Sequence, residues 1–193
     1  HADVRRMLDE IDGLALGARA LAHLTLVAIE AGDDPDLAEA LKPVAKVVCT
    51  EAGMRATELG MQVLGGYGYL KEYFLEQCYR DVRITAIYEG ANGIHERMLA
   101  TRLMPKGGGA ALDRFFEADC AARGTAFPQL KSAMMTWRAA CDRLRLADDP
   151  AAIAHDFMKV TGETLLVFLW ARMAEAAESH PQPERIGRLA EKG

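Results

Sequence analysis

The stretch DVRRMLDEIDGLALGARALAHLTLVAIEAG, residues 3–32, decides the fold class. Val4, Leu8, Ile11, Ala15, Ala18, Ala22, Thr25 and Ile29 recur at three- and four-residue steps, which sets them on one face of a helix. Asp3 is placed to cap the start of that helix, and Gly32 to end it in the left-handed conformation. The bias holds along the whole chain, with 33 Ala against 16 Val and Ile combined. Alanine loses no side-chain entropy in a helix, whereas β-branched residues suit strands, so the composition marks an all-α protein.

Outward from this helix, Asp33-Asp34-Pro35 makes a turn and opens a second helical stretch that runs to Leu64. Pro43 lies inside it, so a short lead-in and a main helix from about Pro43 are expected. Gly65-Gly66-Tyr67-Gly68-Tyr69 ends it. Short helices over 75–82 and 90–103 follow, and no strand longer than Ile84–Tyr88 is plausible. The clearest boundary is Pro105-Lys106-Gly107-Gly108-Gly109, read as an exposed, flexible linker at 105–109 between residues 1–104 and 110–193. Beyond it, helices are expected over 110–122, over 128–146 and, capped by Asp148-Asp149-Pro150, up to Ser179. Arg172, Glu175 and Glu178 give the last one a polar side, with Leu165, Phe168, Trp170 and Met173 as its apolar bulk. The tail from His180, with Pro181 and Pro183, is expected to fray. The architecture is therefore an antiparallel helical bundle followed by a further helical module.

Composition narrows the functional classes. With a net charge of −5 and a pI near 5.6, the 193-residue chain lacks the basic face of a nucleic-acid binder. No run of 18 apolar residues occurs, so no membrane span is expected, and the first residues lack the apolar stretch of a secretory signal. The absence of an initiator Met suggests a fragment or a trimmed chain. Cys49, Cys78, Cys120 and Cys141 form no C-x-x-C pair and have no histidine at zinc-ligand spacing. They read as reduced thiols of a cytoplasmic protein, with no metal site.

One segment invites a chemical reading, Arg80-Asp81-Val82-Arg83-Ile84-Thr85-Ala86-Ile87-Tyr88-Glu89-Gly90. Glu89 stands at the junction of a short apolar run and a helix start. Such a carboxylate is either held there by the helix dipole or offered as a general base beside a glycine that lets a substrate approach. Gly65-Gly66 has two readings as well, a helix C-cap or a backbone that a phosphate or ring approaches. No G-x-G-x-x-G follows a strand, so a Rossmann site has no support. Tyr67, Tyr69, Tyr73 and Phe74 suit packing under a loop better than stacking on a ligand. Arg80-Asp81 reads as a local ion pair and Cys78 as buried packing. His95-Glu96 lacks the second His of a zinc-protease helix.

The ordered set Gln62-Val63-Leu64-Gly65-Gly66-Tyr67-Gly68-Tyr69, Glu72-Tyr73, Arg80-Asp81 and Ile87-Tyr88-Glu89-Gly90 strongly resembles the acyl-CoA dehydrogenase family, in its C-terminal helical domain. The start of the chain, His1 to Leu8 and then Gly17 to Leu21, is similar to a long bacterial branch in which an extra helical module follows the dehydrogenase core. Some members of that branch act on 3-methylthiopropanoyl-CoA.

The resemblance implies FAD-dependent α,β-dehydrogenation of an acyl-CoA. Glu89 would take the pro-R α-proton while the β-hydride passes to flavin N5, and the Glu89 N–H would help polarise the thioester carbonyl. Tyr88 and Gly90 would border the acyl chain and thioester. Gln62, Val63, Leu64, Gly65 and Gly66 would contact the adenosine-diphosphate end of an FAD held mainly by a neighbouring subunit. Ala91 and Gly93 occupy two further cofactor-contacting positions, where the family often has Thr and, in some members, Gln. The resemblance further implies electron-transfer flavoprotein as electron acceptor and a homodimer or homotetramer. It makes this chain roughly the last third of a larger enzyme, inactive by itself. The rivals are an acyl-CoA oxidase of the same fold and a non-catalytic helical module for oligomerisation or interaction.

Overall fold

The computed structural model describes residues 1–177, together with Glu184 and Arg188. Through residue 177 the described residues form seven α-helices: α1 (Ala2–Ala31), α2 (Pro35–Leu64), α3 (Leu75–Arg83), α4 (Asn92–Met98), α5 (Gly109–Arg123), α6 (Gln129–Leu146) and α7 (Ala154–Ala176). Short 3-10 turns lie at Gly65–Tyr69, Lys71–Tyr73, Ile84–Ala86 and Pro150–Ile153. Among the described residues there is no strand, and the all-α expectation holds. Ile84–Tyr88, the longest strand the sequence makes plausible, begins as a 3-10 turn. The N–H groups of Ile87 and Tyr88 both donate to Ile84 O, at 2.9 and 3.0 Å, so they are not free to pair with a neighbouring strand.

Helices α1 and α2 lie side by side. Gly32 ends α1 with φ 69°, and the Asp34 carboxylate caps α2 by accepting from Leu37 N at 3.0 Å. Asp3 does not cap α1; it lies in the first turn and pairs with Arg6 at 2.9 Å. The face of α1 that turns inward is Met7, Gly17, Leu21 and Thr25, one step around from most of the face drawn from the sequence. Leu8 and Ile29 of that expected face are exposed, as are Leu26 and Val27. Apolar residues surround α1 on more than one side, so periodicity alone does not select between stripes.

By length and composition α1 is also apolar enough to cross a membrane, which corrects the exclusion of any span. In this fold it runs along α2, where the Cys49 thiol donates to Ala18 O at 3.3 Å. Pro43 does not interrupt α2, which is one continuous helix of 30 residues. The proline is buried beside Leu41, Val44 and Val47, and that burial offsets the single backbone hydrogen bond its ring removes.

The expected flexible linker at 105–109 is helical. After α4 the chain widens into π-type turns from Leu99 to Gly108 and passes directly into α5. The kink falls on Gly107, at φ 131°, where an added Cβ would run into the Asp36 carboxylate. Leu103 and Gly108 are buried on one side, while Pro105 and Lys106 face solvent. Gly107→Ala is expected to destabilise the protein by about 1–3 kcal/mol from backbone strain alone, read as a lowered urea midpoint. A tryptic digest is expected not to begin at Lys106, because its helical backbone must first unwind.

One buried cluster joins both sides of this kink, running from Leu21, Leu41 and Leu99 to Phe116, Trp137 and Phe168. At its centre Phe116 meets Trp137 and Phe168, with ring centroids 5.0 and 4.7 Å apart. The Trp137 N–H donates to Thr161 Oγ1 at 3.2 Å, leaving no orphaned indole in the core. Helix α7 is buried except along one side, where His155, Lys159 and Glu163 are exposed, and Asp149 starts its lead-in turn by accepting from Ala151 N. Between α5 and α7 the buried Asp119 carboxylate receives Arg172 through two bonds, 2.7 and 2.9 Å, and Arg123 at 2.7 Å. Glu178, the expected helix end at Ser179 and the tail from His180, apart from Glu184 and Arg188, lie outside the described residues.

Candidate active site

The Tyr88-Glu89-Gly90 turn sits between the Ile84–Ala86 turn and the start of α4. Glu89 has a left-handed backbone, φ 52°, and Gly90 follows at φ 93°. A non-glycine residue at positive φ is uncommon and has to be held by its surroundings. Two side chains hold it. His95 Nε2 donates to Glu89 O at 3.1 Å, and Lys46 Nζ donates to Gly90 O at 2.9 Å. Lys46 also reaches Asn92 Oδ1 at 2.7 Å, and Asn92 exchanges hydrogen bonds with Thr50 at 3.2 and 3.3 Å. Gly90 has a steric reason too, since a Cβ there would stand 3.0 Å from the His95 ring.

Glu89 itself is exposed, and among the described residues its carboxylate has no ion pair or hydrogen bond. Its N–H is likewise without a protein acceptor there. Tyr88 beside it is half exposed. The site thus joins an unengaged carboxylate and an unengaged amide on a backbone clamped at two successive carbonyls. Such an arrangement is equipped to take a proton and to hold a developing oxyanion. Ala91 and Gly93 are exposed on the same loop and helix start.

The other candidate residues lie apart. Gln62, Val63, Leu64, Gly65 and Gly66 close the C-terminal end of α2, whereas Lys46 and Thr50 hold the Glu89 loop three to four turns earlier. At 1.5 Å per residue the two sets are roughly 20 Å apart. Gln62, Leu64, Gly65 and Gly66 are exposed, and a Cβ at Gly66 would meet nothing within 4 Å. The backbone at Gly66 is therefore open to close approach. A cavity of about 870 Å³ lies elsewhere, between α1, α2 and α7, lined by Gly17, Ala52, Leu166 and Trp170 among others.

Several neighbouring expectations need correction. Tyr67, Tyr69, Tyr73 and Phe74 do not pack under a loop. All four are exposed, and only Tyr67 and Tyr73 form a ring pair, with centroids 5.5 Å apart. Arg80 pairs with Glu76 one helical turn back, at 2.8 Å, because residues four apart on a helix face each other and adjacent ones do not. Cys78 is exposed, not buried. The buried thiol is Cys141, which desolvation pushes up to about 12.

A turn beyond the loop, the mostly buried Glu96 accepts from His155 Nδ1 of α7 at 3.1 Å. This hydrogen bond raises the His155 pKa above its ordinary value, with the Glu96 charge adding to it. The pair's contribution is full below the ordinary histidine pKa of about 6.5 and is lost as pH rises through the elevated folded value. NMR titration of His155 should therefore give a raised midpoint that returns toward the ordinary one in Glu96→Gln. An unchanged midpoint in that variant would remove the pair as the cause.

The family model for the acyl-CoA dehydrogenase C-terminal domain matches residues 1–104, the part of the chain that carries α1 to α4 and the Tyr88-Glu89-Gly90 turn. The chain belongs to the acyl-CoA dehydrogenase family. It is 40% identical over 133 residues to 3-methylmercaptopropionyl-CoA dehydrogenase of Ruegeria pomeroyi, covering 64% of this chain and 23% of that protein. To the broad-specificity linear acyl-CoA dehydrogenase FadE5 of Mycobacterium tuberculosis it is 34% identical over 123 residues, 58% of this chain and 20% of that one. To acryloyl-CoA reductase (NADH) of Anaerotignum propionicum it is 38% identical over 89 residues, 46% and 22% respectively. The chain spans about a fifth to a quarter of the length of these relatives.

Lys46, Thr50 and Asn92 escaped the sequence reading, which weighed His95 only as a zinc ligand. Lys46 and Thr50 lie more than 40 positions before the loop they hold, and no spacing rule links such distant side chains.

Proposed function

We propose that the chain is the C-terminal part of an FAD-dependent acyl-CoA dehydrogenase in which Glu89 removes the α-proton of an acyl-CoA thioester. The observation that carries this is the clamped turn, with its unengaged carboxylate and amide side by side. Bound FAD supplies the acceptor for the β-hydride. The Glu89 carboxylate takes the α-proton, and the Glu89 N–H donates to the thioester oxygen and favours the enolate. Tyr88 and Gly90 border the acyl chain. Gln62–Gly66 offer open backbone to the adenosine-diphosphate end of an FAD held by a second copy, while Ala91 and Gly93 offer backbone only. In this reading residues 1–104 belong to the dehydrogenase core and residues 110–193 to a further module. The enzyme is a cytoplasmic homodimer or homotetramer that passes electrons to an electron-transfer flavoprotein.

The test uses the full-length polypeptide. Its visible spectrum should carry the flavin bands, and anaerobic addition of an acyl-CoA should bleach them. A colourless protein, or one whose flavin ignores a range of acyl-CoA substrates, overturns the reading in favour of a non-catalytic module. Peroxide formed in air would reassign the enzyme as an oxidase. The 193-residue chain by itself is expected to be colourless and inactive, because the few contacts at Gln62–Gly66 must offset the several kcal/mol of freedom lost on binding.

A further inference from the structure

The His95 ring makes one hydrogen bond and leaves its other nitrogen buried and unsatisfied. The partner of Nε2 is the Glu89 carbonyl oxygen, at 3.1 Å, and a carbonyl only accepts. Nε2 therefore carries the proton. Nδ1 is buried and takes no hydrogen-bond partner. Buried polar atoms without a partner are rare, and each one in a folded protein needs a reason. A histidine kept for stability alone would gain from satisfying both nitrogens. This ring instead lies against Gly90, so close that a Cβ there would stand 3.0 Å from Nε2, and directs the Nε2 N–H at the backbone of Glu89, whose exposed carboxylate is unengaged among the described residues. That residue has φ 52°, a conformation that relaxes unless both ends of the turn are fixed. Lys46 fixes the far carbonyl, that of Gly90. His95 fixes the near one.

We propose that His95 is a positioning residue for the base, aiming the Glu89 carboxylate and amide by holding the Glu89 carbonyl oxygen; this rests on the reading of Glu89 as the base. The step it serves is proton transfer. The Cα–H bond of the acyl-CoA breaks and its electron pair moves into the thioester as an enolate. The proton goes to Glu89, and the reverse transfer restores the thioester. Without the His95 donor the turn relaxes, the carboxylate drifts from the α-carbon, and the loss falls on kcat more than on KM. Misplacement of a reacting group by an ångström costs up to about 10²-fold.

The experiment isolates that step. In full-length holoenzyme, α-hydrogen exchange is followed by NMR in D2O with 3,3-dimethylbutanoyl-CoA, which has no β-hydrogen and so donates no hydride. The wild-type enzyme should exchange the α-hydrogens. H95L, which removes the donor, should exchange them more slowly by about 10-fold or more, with flavin content and melting temperature little changed. H95Q sets an amide N–H near the place of Nε2 and should restore most of the rate. If H95L does not fold, H95N takes its place, since its shorter amide does not reach the Glu89 oxygen. Exchange in H95L as fast as wild type overturns the role of His95, as does H95Q remaining as slow as H95L. Absence of exchange in the wild-type enzyme overturns the assignment of Glu89 as base, and the role of His95 falls with it.

Discussion

Glu89→Gln in the full-length enzyme is expected to lower turnover by about 10²–10⁴, the range general-base catalysis contributes. Two features make this a clean substitution. Glutamine keeps the shape of the side chain and loses only its capacity to take a proton at neutral pH. The Glu89 side chain also supports nothing inside the protein, since it is exposed and unpaired among the described residues. What fixes the turn is its backbone, through the bonds from His95 and Lys46, and these do not involve the carboxylate. Folding, flavin content and acyl-CoA binding should therefore persist while the chemical step fails. Anaerobic flavin bleaching by an acyl-CoA measures that step directly. Bleaching at a near-normal rate in the variant would take the role of base away from Glu89.

The second large effect concerns stability. Asp119→Ala is expected to cost about 3 kcal/mol, the lower end of what breaking a buried ion pair costs. The carboxylate is almost fully buried and gathers three short bonds from Arg172 and Arg123, tying α5 to α7. Removing it strands two guanidiniums in a poorly solvated place, although Arg172 keeps Phe115 under its cation at 4.6 Å and Arg123 keeps Glu175. For a protein of this size the melting temperature should fall by about 6–12 °C. Asp113→Ala serves as the control. Its pairing with Arg138, at 2.7 and 3.0 Å, is more exposed, so its loss should cost at most about 1 kcal/mol. Equal losses from the two variants would mean that burial of Asp119 does not set its importance.

How legible these features were in the sequence depended on how local their causes are. Gly32, Asp34 and Asp149 act within a few residues of themselves, and each ends or starts an element as its residue type predicts. The elements that defied prediction are decided by distant partners. Pro43 stays helical because the neighbours it buries against outweigh one missing N–H. The Gly107–Gly109 run reads as flexible, yet Asp36 and Ala40 pack against it from α2. Leu8 and Ile29 share the period of a buried face and are exposed, because period gives the spacing of a stripe and not its orientation. The active-site candidates divide in the same way. Tyr88, Glu89 and Gly90 are visible as a motif, whereas Lys46 carries no signal of its own and His95 signals only a metal role that it lacks a second histidine to fill.

Helix α2 is, in effect, a ruler. It holds Lys46 and Thr50 beneath the Glu89 turn and carries Gln62–Gly66 at its far end, on one unbroken hydrogen-bonded rod. A single residue inserted between Thr50 and Gln62 would lengthen that rod by about 1.5 Å and swing everything beyond it by about 100°. The glycine pair would then face another quarter of the surface, although every residue of both motifs remained in place. Substitutions along this span trade one contact for another, but insertions and deletions break the gauge, so the distance between the two sites is inherited as a whole number of helical steps.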